Sequence, residues 1–137
     1  MDREVVTQKL ESLRRCIQRI ADKCPATPEA LALDPDLQDI LALNLTRAVQ
    51  LCVDIGAHII TGLGVPPPDT MGQTFDVLAR AGVIPENLAL QLKKSVGFRN
   101  IAVHNYEAID WAIVHGLARH HLQDFTGFAK AVASGLA

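Results

Sequence analysis

The sequence predicts an all-α protein, and three observations support this fold class. Apolar residues recur three and four positions apart over long stretches, as on one face of an amphipathic helix. No segment alternates apolar and polar residues with a period of two, and β-branched residues do not cluster. The connecting segments are short, which favours antiparallel packing in a four-helix bundle with one additional short helix. With 137 residues, we expect a single domain, 1–137.

The first two predicted helices are long. The first carries an apolar stripe that starts at Val6, and it ends before Pro25, whose ring and missing N–H block continuation. The second begins with Asp34 as N-cap and Pro35 in the first helical position, and it continues for about six turns. This second helix is apolar on several sides, which indicates a central helix or one that also packs against a second subunit.

Three further helices are expected in the second half of the chain. A short helix follows Thr70 and Gln73, which fit a capping box, and it stops at Gly82. The fourth predicted helix begins at Pro85, a residue that suits the start of a helix. The last helix is expected over residues 107–132, where a further apolar stripe recurs with helical spacing.

Composition narrows the class of function. The chain has 13 Lys and Arg residues against 15 Asp and Glu residues, a formal net charge of −2. A generic electrostatic nucleic-acid binder would be basic, so any nucleic-acid contact must come from a local patch. No uninterrupted apolar stretch reaches the length of about 18 residues that predicts a membrane span, and the N-terminus lacks the apolar core of a signal peptide. We therefore expect a cytoplasmic protein that does not engage a membrane.

Metal and thiol chemistry receive no support from the sequence. No glutamate is followed three residues later by a histidine, which excludes the di-iron class of helical bundle. His115, His120 and His121 share a predicted helix, but their spacings do not place two ligands on one face. The three cysteines form no C-x-x-C pair, so we expect buried free thiols. We expect no metal and no cofactor.

A local cationic patch interrupts this acidic chain. Lys93, Lys94 and Arg99 place three positive charges within seven residues, with no acidic residue among them. His104 and the only tyrosine, Tyr106, follow shortly after. In a chain otherwise unsuited to nucleic acid, this patch is where RNA phosphates would be expected to bind.

These residue types suit cleavage of an RNA phosphodiester by the RNA's own 2′-hydroxyl. A histidine titrates near neutral pH, so His104 can take or give that proton. An arginine is always charged, so Arg99 can hold the phosphorane oxygens as negative charge builds. Neither role requires a metal. The alternative is structural, with Arg99 paired to a carbonyl or carboxylate at a helix end and His104 acting as a cap.

The spacing of this pair raises a geometric problem. Five residues separate Arg99 from His104, which puts the two side chains about 140° apart on an unbroken helix. Either the helix distorts here, which Gly97 would favour, or a second subunit brings its own copy of the segment. A two-fold contact would place two Arg99 and two His104 side chains around one cleft.

The stretch R-N-I-A-V-H-N-Y, residues 99–106, resembles the R-N-x-x-x-H-x-Y signature of HEPN-domain proteins. More narrowly, it resembles the HepT-like toxins of HepT/MntA toxin–antitoxin systems. Residues 54–58 and residues 70–84 are similar to the second helix and the short third helix of that family. The resemblance therefore covers most of residues 36–112.

The resemblance implies a HEPN-type four-helix bundle that forms a two-fold homodimer and acts as the toxin of a type VII-like toxin–antitoxin pair. Its activity would be that of a metal-independent endoribonuclease on RNA. Arg99 and His104 would form the catalytic pair, with Asn100 and Asp54 in supporting roles. The partner would be a cognate minimal nucleotidyltransferase antitoxin of the MntA type. In that family the antitoxin transfers AMP from ATP onto the tyrosine of the motif, here Tyr106.

Two other classes of function remain open at this stage. Some HEPN-like domains are nucleotide-binding or purely interaction modules. A structural dimerisation bundle would be favoured if Arg99 and His104 proved buried and mutually unreachable. The intact pair favours the ribonuclease, and an RNA-degradation assay discriminates between the classes.

Overall fold

The computed structural model describes residues 2–136, and every regular element in that range is helical. Helix α1 spans Arg3–Lys23, α2 Pro28–Ala32, α3 Pro35–Thr61, α4 Met71–Arg80, α5 Glu86–His104, α6 Trp111–His120 and α7 Leu122–Leu136. A 3₁₀ turn, Tyr106–Ala108, lies between α5 and α6. The predicted all-α class is confirmed.

Local sequence signals set several helix ends as predicted. The Asp34 carboxylate accepts a hydrogen bond from a backbone N–H in the first turn of α3 (3.1 Å). At the start of α4, the Thr70 hydroxyl accepts from the N–H of Gln73 (3.2 Å). The Gln73 side chain accepts from the N–H of Asp69 (2.9 Å), one residue earlier than a capping box requires. Gly82 adopts a φ of 76° and closes α4 in a Schellman motif.

Helix α3 is the centre of the bundle, as its apolar character on several sides predicts. It contacts all six other helices, and its buried side chains include Leu41, Leu45, Val49 and Ile55. Within the described range, it is also the one helix whose length and composition would suit a membrane span. However, 56% of the most apolar 18-residue segment of this helix is buried inside the bundle, which is typical of a core helix.

The other helices bury their apolar faces against α3 and against each other. α1 packs along α3, α5 packs on α3 and α4, and α7 packs beside α1 and α5. Phe75 of α4 and Phe128 of α7 are fully buried and meet edge to face, with ring centroids 6.1 Å apart. The two rings connect α4 to α7, and burying each side chain contributes roughly 1.5–3 kcal/mol to the stability of the bundle.

Helix α2 is absent from the prediction made from the sequence. Its N-cap is Thr27, whose hydroxyl accepts from the N–H of Ala30 (3.2 Å), and Pro28 occupies its first helical position. The Thr-Pro pair is therefore a start signal visible in the sequence. With only five residues, however, the helix carries too little apolar periodicity to be recognised.

The single last helix predicted over residues 107–132 is wrong at its start and in its middle. Helix α6 begins at Trp111, because the Asp110 carboxylate accepts from the N–H of Ala112 (2.9 Å) and caps it. His121 then leaves the helical conformation (φ −123°, ψ 9°) and divides α6 from α7. This division allows α6 to pack on α2 while α7 packs on α1 and α5.

Helix α5 continues without a break to His104. Gly97 has helical backbone conformation, and a Cβ added to it would meet no atom within 4 Å. The distortion considered for this region is therefore wrong. The other arrangement, in which a second copy of the segment joins Arg99 and His104, stays a prediction.

Gly56 marks a close approach between α3 and α4. A Cβ at this position would lie 2.6 Å from Cγ2 of Thr74 and 3.1 Å from Cδ1 of Leu78. Both neighbours are buried and fully packed, so they have little room to move. The absence of a side chain at Gly56 is what allows the two helices to pack this closely.

We expect Gly56→Ala to lower the free energy of unfolding by about 1–2 kcal/mol, because overpacking strain exceeds the gain in helix propensity. Gly97→Ala is the matched control, since its added Cβ points into open space. It should raise the free energy of unfolding by about 0.5–1 kcal/mol. Urea denaturation measures both changes. Stabilisation by Gly56→Ala would contradict the close packing of α3 on α4.

Candidate functional site

The last two turns of α5 carry Arg99, Asn100 and His104. The helix ends at His104 because Asn105 leaves the helical conformation (φ −151°, ψ 65°). The N–H of Asn105 still donates to the carbonyl oxygen of Ile101 (2.8 Å). Tyr106 then opens the 3₁₀ turn. The structure therefore brings all four residues of the motif to one end of α5.

Arg99 is half-buried and incompletely paired. Its Nη1 donates to Oδ1 of Asn100 (3.1 Å), whereas its Nε is buried and has no acceptor among the described residues. No carboxylate of residues 2–136 forms an ion pair with it, so the carboxylate pairing considered from the sequence is not observed. A buried donor without a partner costs about 1–3 kcal/mol. The fold thus holds this arginine with capacity to bind an anion.

His104 is exposed and lies on a different side of α5 from Arg99. Because the helix is unbroken, the five-residue step rotates the two side chains about 140° apart. Asn100 lies between them, about 40° from His104 around the helix axis. Its hydrogen bond with Arg99 draws the guanidinium toward the His104 side. One protomer nevertheless presents the two side chains on divergent faces.

Tyr106 is held in place by two contacts. Its hydroxyl donates to Oδ1 of Asp39 in α3 (2.5 Å), and its ring meets Trp111 edge-on with centroids 5.8 Å apart. The side chain remains 39% exposed. Burial near the hydroxyl, followed by the hydrogen bond and the negative charge of Asp39, raises the pKa of Tyr106 to about 12.

Asp39 is a site residue that the sequence analysis missed. Its contact with Tyr106 joins positions 67 residues apart, so no local spacing or motif marks it. The only sequence signal is a carboxylate in the second turn of a helix that is otherwise largely apolar. Only the packing of α3 against the end of α5 makes the two residues neighbours.

A groove of about 360 Å³ lies between α3 and the end of α5, next to Tyr106. Its lining is mainly apolar and includes Leu43, Ala102 and Val103. Ala102 and Val103 follow Arg99 by three and four residues, so all three share one face of α5. Arg99 therefore faces the side of the helix on which the groove and Tyr106 lie.

The expected cationic patch is not one continuous surface. Nζ of Lys93 pairs with the Asp76 carboxylate of α4 (3.1 Å), an acidic neighbour that is distant in sequence. Lys94 is exposed and has no ion pair within the part of the chain that the structure describes. Around α5, Lys93, Lys94 and Arg99 point in directions roughly 100–140° apart. Of these three cations, only Arg99 shares a face of α5 with the groove, and the groove lining also includes the carboxylate of Asp39.

The structure does not bring Asp54 to the other predicted site residues. Its carboxylate accepts a hydrogen bond from Gln50 (2.9 Å) and lies 3.8 Å from Nζ of Lys9. The shallow cavity beside it, of about 250 Å³, is lined by residues of α1 and α3 and by none of α5. Within one protomer, Asp54 is therefore not placed to support Arg99 or His104.

The remaining histidines and the cysteines do not form a second site. A ring nitrogen of the buried His115 lies 2.8 Å from the carbonyl oxygen of Pro25, which ties α6 to the turn after α1. Two of the three free cysteines are buried and the third is half-buried, and burial raises the pKa of each thiol. Between residues 2 and 136, no three His, Cys, Asp or Glu side chains cluster as metal ligands would.

Known proteins resemble this chain over nearly its whole length. A family model described as ribonuclease HepT-like matches residues 5–132. The mRNA nuclease HepT of Shewanella oneidensis is 35% identical over 129 residues, which cover 94% of this chain and 96% of that protein.

Two solved structures share the fold. A tri-AMPylated Shewanella oneidensis HEPN toxin in complex with MNT antitoxin gives a TM-score of 0.89 at 34% identity, covering 98% of this chain and 99% of that chain. A toxin–antitoxin structure with AMP-PNP gives a TM-score of 0.90 at 34% identity, covering 96% and 98%. The HEPN-type bundle implied by the motif is confirmed. The chain belongs to the ribonuclease HepT-like family.

Proposed function

We propose that this chain is the toxin of a type VII-like toxin–antitoxin pair and cleaves RNA without a metal ion. Its Shewanella relative is an mRNA nuclease, and the similar structures are of toxins with antitoxins. The observation that carries the proposal is the state of Arg99, whose buried Nε has no acceptor in the described chain, five residues before the exposed His104. Because its substrate would be mRNA, we place the protein in the cytoplasm.

His104 transfers protons in this reaction, and Arg99 stabilises the negative charge that builds on the phosphate. The 2′-hydroxyl attacks the adjacent phosphorus, and His104 takes its proton or delivers one to the leaving 5′-oxygen. Arg99 donates charge-assisted hydrogen bonds to the non-bridging oxygens as negative charge builds on them. Asn100 orients the guanidinium through the 3.1 Å hydrogen bond. Lys94, which is exposed and free of ion pairs in the described chain, contacts the RNA backbone outside the cleft.

A second copy of the chain completes the site in this proposal. The divergence of about 140° disfavours a site in which one protomer presents both side chains to a single phosphate. Large apolar side chains beside the motif are unusually exposed: Leu43 at 57%, Ile101 at 45% and Val103 at 49%. A two-fold contact that covers them would bury apolar surface and gather both copies of Arg99 and His104 around one cleft.

The partner is a minimal nucleotidyltransferase antitoxin of the MntA type, which transfers AMP from ATP onto Tyr106. The Tyr106 side chain is partly exposed and lies on the groove that Arg99 faces. The Shewanella toxin in the complex with MNT antitoxin is itself tri-AMPylated. An AMP group on Tyr106 would add bulk and a negative charge where an RNA phosphate would otherwise bind, and it would compete for Arg99.

Arg99→Met and His104→Ala should each slow RNA cleavage by at least about 100-fold, because each removes a catalytic group. Arg99→Met should keep or raise the Tm, since it also removes a buried unpaired donor. Arg19→Met, which alters an exposed arginine on α1, is the matched control and should cleave normally. Single-turnover cleavage in EDTA and thermal melting measure these effects. Loss of wild-type cleavage in EDTA, regained with a divalent ion, would contradict the mechanism.

Co-expression with the cognate nucleotidyltransferase should raise the intact mass of the chain by one or more adenylates. Tyr106 is the only tyrosine, so Tyr106→Phe should abolish the increase. Mass spectrometry of both proteins, with toxicity measured in parallel, tests this assignment. A neutralised toxin of unchanged mass would instead show that the antitoxin acts by covering the cleft.

A further inference from the structure

The hydrogen bond between Tyr106 and Asp39 places a carboxylate directly on the hydroxyl that would receive AMP. The hydroxyl donates to Oδ1 of Asp39 (2.5 Å), and the edge contact with Trp111 fixes the ring beside it. Asp39 is exposed and forms no ion pair within residues 2–136, so no cation competes for its charge. A carboxylate in this position can accept the hydroxyl proton.

The chemistry of AMP transfer requires such an acceptor. With its pKa raised to about 12, the Tyr106 phenol is almost entirely protonated at neutral pH and is a weak nucleophile. A base within hydrogen-bond reach overcomes this weakness by removing the proton as the new bond forms. The contact between Asp39 and the hydroxyl has that geometry in the unmodified protein.

We propose that Asp39 is the general base for adenylylation of Tyr106, so that the toxin supplies a catalytic residue for its own inactivation. This inference rests on the proposed function, in which a nucleotidyltransferase transfers AMP from ATP to Tyr106. The partner binds ATP and orients its α-phosphate, while Asp39 prepares the acceptor.

The step balances with ATP as the co-reactant. The Tyr106 oxygen attacks the α-phosphorus, and a bond forms between them. The bond from the α-phosphorus to the oxygen that bridges it to the β-phosphate breaks, and pyrophosphate leaves with the electron pair. The phenolic proton passes to Asp39 and then to water. The products are O-adenylyl-Tyr106, pyrophosphate and one proton.

Other carboxylates near Tyr106 in the chain do not contact its hydroxyl. Asp110 is engaged at the start of α6, where it accepts hydrogen bonds from two backbone N–H groups. Glu107 is exposed and makes no hydrogen bond or ion pair with another described side chain. In the described chain, Asp39 is therefore the one carboxylate placed to take the proton.

Asp39→Asn tests the proposal, because the amide has the shape of the carboxylate and can still accept the hydrogen bond but is a far weaker base. We expect kcat for AMP transfer to fall by roughly 100-fold or more, with KM for ATP unchanged. Asp36→Asn is the matched control: it removes an exposed carboxylate in the first turn of the same helix and should leave kcat unchanged. The assay uses the purified toxin, its nucleotidyltransferase and ATP, and circular dichroism melting verifies that each variant is folded.

Fluorinated tyrosine separates a role in proton transfer from a role in holding the ring. Because Tyr106 is the only tyrosine, global incorporation into the toxin changes this position alone. The more acidic phenol needs less help from a base, so it should restore much of the lost kcat in Asp39→Asn and change the wild type far less.

The possible failures are distinguishable. If the wild type and Asp36→Asn receive AMP and Asp39→Asn receives it at the same rate, the role of Asp39 is wrong and the proposed function stands. A slow Asp39→Asn that fluorotyrosine does not rescue would also overturn the role as base. If the wild type receives no AMP at Tyr106, the proposed function fails and this inference fails with it.

Discussion

The packing of one continuous helix, α5, against the central helix α3 determines how the functional residues are arranged. α3 contacts all six other helices and forms the centre of the core. Because α5 remains helical to His104, the angle between Arg99 and His104 is fixed near 140° by helix geometry. The same packing sets Tyr106 against Asp39. The features of the site thus follow from the contact between these two helices.

Polar groups in the body of the bundle have hydrogen-bond partners, whereas a donor at the motif does not. Helix ends are capped by side chains such as those of Asp34, Thr70 and Asp110, and the buried His115 bonds to a carbonyl. Arg99, in contrast, keeps a buried donor without a partner in the described residues. An unpaired buried donor is a cost to stability that a ligand can recover. This contrast supports the proposal that the end of α5 is a functional site.

Local signals in the sequence predicted much of the fold. The caps at Asp34 and Thr70 and the left-handed Gly82 act within a few residues, so the sequence reveals them directly. The break at His121 could not be predicted in this way, because it arises from α6 and α7 packing on different neighbours. Helix boundaries that depend on tertiary packing leave no local mark.

The candidate site was predicted only in part, because some of its contacts also depend on tertiary packing. Its motif residues are close in sequence and lie at one end of α5, but the charge environment depends on contacts between distant segments. Asp76 neutralises Lys93 from α4, and Asp39 meets Tyr106 across 67 positions. Each contact joins residues that are far apart in the sequence, so no local motif predicts it. The spacing of Arg99 and His104 predicts that their side chains diverge, and the unbroken α5 rules out a helix distortion as the way to join them.

Mixed dimers test most directly whether Arg99 of one protomer works with His104 of another. Arg99→Met and His104→Ala chains with different affinity tags would be co-expressed, and the heterodimer isolated by sequential purification. Each homodimer should be inactive, whereas the heterodimer keeps one intact pair across the interface and should recover up to about half of wild-type RNA cleavage. A heterodimer as inactive as either homodimer, or a wild-type monomer that cleaves RNA, would contradict the account.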